Sequence, residues 1–236
     1  MNSPATPNDP ERFNVIKECT ESYGVGDAGA DWPNNMLSQR TVVYSSGIMT
    51  LADDAVAPEV DAAELELCSA LAAEAKGIIG DIPVGMGSEA EDPFLPFFIC
   101  HRPGTVTPTA ITADLIRDRF GGTIFPPATI TTEPLEASGT WWDEVTESAE
   151  DFETDEDDAE DDYLAAWQRL IDWFASNSHL SQATFVRIGE QEALEELEPE
   201  AMPPGTEMPG SVLPRMAVAL TQQGSLVGLV GYTVQT

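Results

Sequence analysis

The sequence predicts an α+β fold: a mixed sheet with a C-terminal β-hairpin and three to four helices in a single compact domain. Helical and strand-like patterns both occur along the 236 residues, without the strict alternation of a parallel α/β protein. Hydrophobic residues make up 42% of the chain, enough for a sizeable core. Two apolar runs, 214–221 and 226–234, flank a turn at 222–225 and predict the hairpin.

The first part of the chain predicts an arm followed by a strand pair. Residues 1–10 contain three prolines and predict a loose N-terminal arm, which leaves 11–236 as the α+β domain. The β-branched and apolar segments 41–44 and 48–51 predict two strands, or one strand broken near Gly47.

A helix is expected over 61–76. Its apolar residues Leu65, Cys68, Leu71 and Ala72 follow the helical spacing, and Gly77 is expected to end it. A buried strand is expected over 94–101, followed by a short helix that Thr112 caps and that runs to 120. With a further strand at 123–125, the stretch 94–126 resembles a βαβ unit.

The segment 134–162 predicts an acidic linker or loop that interrupts the domain. It leads into an amphipathic helix over 162–176, then a strand over 183–188 and a short acidic helix over 190–198. Between 147 and 160 the acidic segment has one large apolar residue, Phe152, so residues 147–160 are expected to be dispensable for folding.

Charge excludes some classes of partner. The chain has 42 acidic and 10 basic residues, a net charge of −32, with only two lysines. Direct nucleic-acid binding needs a local surplus of Lys and Arg, and anionic membranes need the same. No apolar run reaches the roughly 20 residues that span a bilayer. A basic protein surface is the partner that the long-range field favours.

The acidity is spread as well as concentrated. Residues 143–162 contain 13 acids and no base, so 29 acids and 10 bases remain elsewhere, a net charge of −19. An excess of acidic residues spread along the chain suits a cytoplasm of high salt, where repulsion between the carboxylates is screened. The alternative is an ordinary acidic protein with one solvated acidic loop.

Cysteine spacing indicates a reducing, cytoplasmic location. The three cysteines, at 19, 68 and 100, are far apart, form no C-x-x-C motif and are odd in number. They therefore predict neither a disulfide framework nor a zinc site. The acidic block lacks the glycine and glutamate of a calcium-binding loop, so no metal site and no cofactor are expected.

His101 is the catalytic candidate. Only two histidines occur, and His101 ends a predicted strand, where open sheets place ligand sites. A hydrolase would pair it with an Asp or Glu that the fold supplies. The alternative is a strand-end histidine without a chemical role.

Trp141 and Trp142 precede the acidic block and indicate a docking element. Two adjacent tryptophans cannot share one buried face, so one is expected to pack inside and the other to remain accessible. Aromatic anchors and carboxylate steering are typical of protein recognition. The candidate partner-binding residues are Trp141, Trp142, Asp155, Glu156, Asp157 and Asp158.

These observations favour a non-catalytic binding or assembly protein that engages a protein partner. The hydrolase that uses His101 is the alternative. A third reading is mimicry of nucleic acid, in which carboxylates imitate phosphates towards a basic protein, and this requires a rigid array of charges.

Overall fold

A computed structural model of the chain describes residues 10–11, 32, 36–38, 40–51, 59–151, 159–203 and 212–235. Strands and helices are both present, which confirms the α+β class. The strands are β1 Pro10–Glu11, β2 Thr41–Tyr44, β3 Met49–Leu51, β4 Leu95–Ile99, β5 Ile130–Pro134, β6 Leu180–Ile188, β7 Val212–Thr221 and β8 Leu226–Val234. The helices are α1 Ala62–Ile79, α2 Ala113–Arg119, α3 Thr140–Asp151, α4 Ala159–Ser176 and α5 Gln191–Glu195, with a 3₁₀ turn at Pro199–Ala201.

Five strands form the main sheet in the order β4-β8-β7-β6-β5, and all its ladders are antiparallel. The C-terminal hairpin β7–β8 is confirmed, and it lies in the interior of this sheet. A smaller antiparallel sheet has the order β1-β2-β3. Among the described residues, no helix is long and apolar enough to cross a membrane.

The hairpin is buried on both faces, which explains its almost uninterrupted apolar sequence. Met216 and Val218 point into one hydrophobic cluster, which includes residues of β3 and α2. The intervening Ala217 and Ala219 point into a second cluster, formed with α3 and α4. This alternation is the two-residue period of a strand, and it places one layer of structure on each face of the sheet.

Helix α1 begins where the sequence predicts but ends later. The Asp61 carboxylate accepts hydrogen bonds from the backbone N–H groups of Ala63 and Glu64, both at 2.9 Å, as an N-cap does. The expected end at Gly77 is wrong, because the helix continues to Ile79, which is buried. The helix ends at Gly80, whose φ of 68° is readily available only to glycine.

The predicted βαβ unit is wrong. Thr112 caps α2 as expected, with its hydroxyl oxygen accepting from the Leu115 N–H at 3.2 Å. The following segment does not join the sheet as a parallel strand. Ile124 forms only an isolated antiparallel bridge with Leu37, and the next strand is β5 at 130–134.

Residues 140–151 form α3, whereas the sequence predicted a linker or loop over 134–162. The helix forms because its inner side, Trp141, Val145 and Ala149, is completely buried against α4 and the sheet. The many acidic residues of this segment dominate its composition, so the helical spacing of its apolar residues was not recognised in the sequence. Residues 152–158 lie outside the described residues.

The turn between β2 and β3 packs closely against the end of β4. Gly47 has a φ of 75°, and a Cβ atom there would lie 1.8 Å from the carbonyl oxygen of Phe98. Only glycine permits both the dihedral angle and this approach. The turn then accepts a hydrogen bond at Ser46 O from the Cys100 N–H, at 3.0 Å.

Candidate functional site

His101 lies two residues beyond the end of β4, whereas the sequence predicts a strand that runs to 101. Its backbone N–H donates to Ser225 Oγ at 2.9 Å, which attaches it to the turn between β7 and β8. The residue is partly exposed. Helix α2 also reaches this point, so His101 lies where three segments distant in sequence meet.

The His101 ring has a fixed tautomer. Its Nδ1 is 2.7 Å from Nη2 of Arg119, and a guanidinium can only donate, so Nδ1 accepts. The proton therefore sits on Nε2, which lies 3.3 Å from the Thr105 hydroxyl oxygen. Burial and, next, the charge of Arg119 lower the pKa of His101, against opposing contributions from Thr105 and Glu64. These contacts favour the neutral imidazole.

The hydrolase hypothesis requires a carboxylate beside this ring. Among the described residues, the side-chain partners of the His101 nitrogens are Arg119 and Thr105, and neither is an Asp or Glu. A carboxylate in contact would stabilise the imidazolium that forms when histidine acts as a base, whereas Arg119 destabilises it.

A buried polar cluster lies behind His101, on α1 and the hairpin. Glu64 is 3% exposed and accepts hydrogen bonds from Thr221 Oγ1 at 2.5 Å and Cys68 Sγ at 3.8 Å. Cys68 and Cys100 are both buried free thiols. Hydrogen bonding to Cys100 and burial raise the pKa of Cys68. A thiol held protonated in this way is a poor nucleophile and a poor metal ligand.

Trp141 belongs to the core and not to a docking surface. Its ring is completely buried and stacks on Phe185 with centroids 4.8 Å apart, and it lies 5.5 Å from Trp167. Its indole N–H donates to Pro134 O at 3.1 Å. Trp141 is therefore the one of the two tryptophans that packs inside, on the side of the helix that faces the sheet.

Trp142 borders the outward side of α3. It is partly buried and packs edge-on against Trp141, with ring centroids 5.5 Å apart. Asp143, Glu147 and Glu150 are exposed. At 100° per residue these four side chains share one arc of the helix, here called the α3 outer face. The other candidates, Asp155, Glu156, Asp157 and Asp158, lie outside the described residues.

An arginine on β6 bonds to α3, and no sequence pattern predicts this contact. Arg187 bonds to Glu133 Oε1 at 2.8 Å and to Glu144 Oε1 at 2.5 Å, and Glu190 lies 3.6 Å away. Burial raises the pKa of Glu144, although the charge of Arg187 opposes this shift. Arg215 lies opposite Arg187 on the neighbouring strand β7 and is 3% exposed. Burial lowers the pKa of Arg215 to about 10.

Arg119 is the second residue that sequence reasoning missed. Its position in the last turn of α2 suggested only a favourable interaction with the helix dipole. Its contact with His101 depends on the approach of two segments that the sequence does not reveal. Within the described ranges, no three His, Cys, Asp or Glu residues gather as metal ligands.

Comparison of the chain with models of known protein families and with curated proteins finds no match. The geometry of the described residues therefore carries the functional argument.

Proposed function

We propose that this is a non-catalytic binding or assembly protein, whose α3 outer face docks on a basic surface of a protein partner. The observation that carries the proposal is the position of Trp142, a half-buried aromatic ring bordered by the exposed carboxylates of Asp143, Glu147 and Glu150. An aromatic ring at the edge of a charged surface offers apolar contact area at small conformational cost.

Rigid support strengthens this proposal. Trp141, the neighbour of Trp142, is buried in the core, and Arg187 forms an ion pair with Glu144 of the same helix. The outer face is therefore preorganised, and a partner need not order it on binding. Preorganised contact surfaces lose less entropy on association than flexible segments do.

Electrostatics supports a basic partner. A net charge of −32 repels nucleic acids and anionic membranes and attracts basic proteins over about 10 Å at ordinary ionic strength. The acids at 151–162 follow the α3 outer face in sequence and add to the local negative charge. We place this interaction in a reducing, cytoplasmic compartment, where buried free thiols such as Cys68 persist.

The test compares variants of the α3 outer face with charge-matched controls. Trp142→Ala and the triple variant Asp143→Asn, Glu147→Gln, Glu150→Gln should each weaken capture of basic proteins from lysate of the source cells. The control triple carries Gln at three exposed glutamates elsewhere, Glu66, Glu74 and Glu91. It removes the same charge and should retain capture.

Salt separates the two contributions. Raising ionic strength should weaken capture by the wild type more than capture by the outer-face triple, because the carboxylates act mainly by steering. The tryptophan effect should persist in high salt. Equal capture by all variants at every salt concentration would overturn the proposal.

The identity of the captured protein distinguishes docking from mimicry. If double-stranded DNA competes with this chain for a nucleic-acid-binding partner, the α3 outer face acts as a mimic of phosphates. If DNA does not compete, the face is an ordinary docking surface.

A further inference from the structure

A cavity beside His101 has a mainly polar lining that includes two arginines, with two isoleucines at its inner side. It has a volume of about 90 Å³ and lies between the turn after β2, the end of β4 and the end of α2. The residues that line it and carry the argument are Ile48, Ile99, Arg102, Thr105, Asp118 and Arg119. A single water needs about 10–15 Å³ of such space, so this cavity admits a larger occupant.

Arg119 enters this cavity with unused hydrogen-bonding capacity. It is 8% exposed, and its Nη2 donates to His101 Nδ1 at 2.7 Å and to Gly224 O at 3.2 Å. Its buried Nε has no hydrogen-bond partner among the described residues. A buried N–H without a partner costs about 1–3 kcal/mol, so a rearrangement of the Arg119 side chain that brings an acceptor to this Nε would be stabilising.

Charges of both signs act on Arg119. Neither Arg119 nor Arg102 forms an ion pair with a carboxylate in the part of the chain that the structure describes. Burial and the proximity of Arg102 lower the pKa of Arg119, and exposed Asp118 opposes this. Two guanidinium groups and one carboxylate leave one net positive charge, beside a neutral His101, in a chain with 42 acids and 10 bases.

We propose that this cavity binds a small organic monocarboxylate, with its carboxylate against Arg119 and its short apolar tail against Ile48 and Ile99. A guanidinium matches the planar geometry of a carboxylate. One negative charge balances the local charge. Ile48 and Ile99 offer apolar contact to a short hydrocarbon tail. Arg102, exposed at the rim, attracts the anion.

This inference does not rest on the proposed function, because it uses no residue of the α3 outer face. It assigns a ligand and no reaction, since the neutral His101 lacks a carboxylate partner among the described residues.

The experiment titrates the full-length chain with sodium propionate by isothermal calorimetry, at constant sodium concentration balanced with chloride. Saturable binding with a dissociation constant below about 10 mM is expected for a ligand of this size. Inorganic phosphate should bind at least tenfold more weakly. Tighter binding of phosphate than of propionate would overturn the assignment of a monocarboxylate.

Matched variants locate the site. Arg119→Gln should weaken binding at least tenfold, and Arg102→Gln severalfold. Arg169→Gln on α4 removes the same charge at an exposed position and should leave binding unchanged. Circular dichroism checks the fold of each variant. If Arg119→Gln does not fold, two other measurements locate the site. They are the affinity of Arg102→Gln, a change at an exposed residue, and the propionate-induced shifts of the Gly224 and Ser225 amide resonances.

Absence of saturable binding by the wild type would show that the cavity holds only water. Equal binding by wild type and Arg102→Gln, with no shift at Gly224 or Ser225, would place any bound propionate elsewhere. Either result overturns the proposal.

Discussion

Arg187 on β6 donates from Nη1 to Oε1 of Glu144 on α3 at 2.5 Å, across the boundary between helix and sheet. The arginine also bonds to Glu133 on β5, so one guanidinium joins a helix and two strands. This link holds α3 although its segment is among the most acidic in the chain.

Arg187→Met should destabilise the protein by about 2–3 kcal/mol. The loss leaves two partly buried carboxylates without their cation, and it falls below the 3–5 kcal/mol of a fully buried pair because both glutamates retain solvent contact. Glu144→Gln should cost less, about 1 kcal/mol, because burial already favours an uncharged group there and the amide oxygen still accepts from Arg187. Urea unfolding measures both variants. Equal losses would contradict this account.

Ser148→Ala should cost about 1–3 kcal/mol. The Ser148 hydroxyl oxygen accepts from the buried backbone N–H of Met86 at 2.5 Å, and the substitution leaves that donor unpaired. Hydrogen exchange at the Met86 amide should accelerate. Thr146→Ala provides the control. Among the described residues, the Thr146 hydroxyl donates to a carbonyl of its own helix, Asp143 O, so its loss should change stability by no more than about 0.5 kcal/mol. Unchanged exchange at Met86 would show that another acceptor replaces Ser148.

Trp167→Ala should cost about 3–5 kcal/mol, as for a large aromatic residue removed from a core. Its ring is completely buried and contacts Phe94 edge-on, with centroids 5.2 Å apart. Gln168→Ala on the exposed side of the same helix should change stability by less than about 0.5 kcal/mol. Denaturant titration compares the two. A loss below about 1 kcal/mol for Trp167→Ala would mean that the core reorganises around the gap.

Local signals in the sequence predicted much of this fold. Asp61 and Thr112 identify helix starts because N-capping depends on the nearest residues, and the 222–225 turn between two apolar runs identifies the hairpin. The order of strands and the pairing of β4 with β8 depend on distant contacts and leave no local pattern.

Helix α3 shows why the rest could not be predicted. Trp141, Val145 and Ala149 have helical spacing, but surrounding acids dominate the composition and suggest a solvated loop. The structure makes 147–151 the last part of α3 and buries Ser148 and Ala149, so we now expect deletion of 147–151 to destabilise the fold. Residues 152–158 lie outside the described ranges.

The candidate sites depend still more on tertiary contacts. The sequence places His101 at the end of a predicted strand, but the lowered pKa of its ring depends on burial and on the charge of Arg119, which is 18 residues away. The same pattern in another fold would bring a different neighbour to the ring and a different chemistry.

His101 should make stability depend on pH below its ordinary pKa of 6.5. Its folded-state pKa is lowered, so the unfolded chain binds a proton more readily, and the contribution of His101 to stability falls as pH falls. Burial is the largest cause of this shift, Arg119 of α2 lowers the pKa further, and two groups, Thr105 and the α1 residue Glu64, oppose the shift. His101→Asn retains an acceptor for Arg119 but does not titrate. The stability of the wild type relative to this variant should decline from pH 7.5 to 5, as measured by chemical unfolding at each pH. A constant difference would contradict the lowered pKa.

The melting temperature should rise from low to molar KCl. Outside 143–162 the chain still has a net charge of −19, and salt screens the resulting repulsion in the folded state. Differential scanning calorimetry measures the trend, and tetramethylammonium chloride at equal ionic strength separates screening from binding of particular cations. A flat or falling midpoint would remove the argument for adaptation to high salt.

The sheet order has a consequence for synthesis of the chain. Strands β4 and β5 border the sheet, and β4 pairs with β8, which leaves the ribosome much later. Until residues 212–234 emerge, the nascent chain holds apolar segments such as 94–99 without the strand that later covers them. Pairings this distant form slowly and leave intermediates open to aggregation. Translation that stops within 212–234 should therefore release a chain that chaperones retain and proteases degrade.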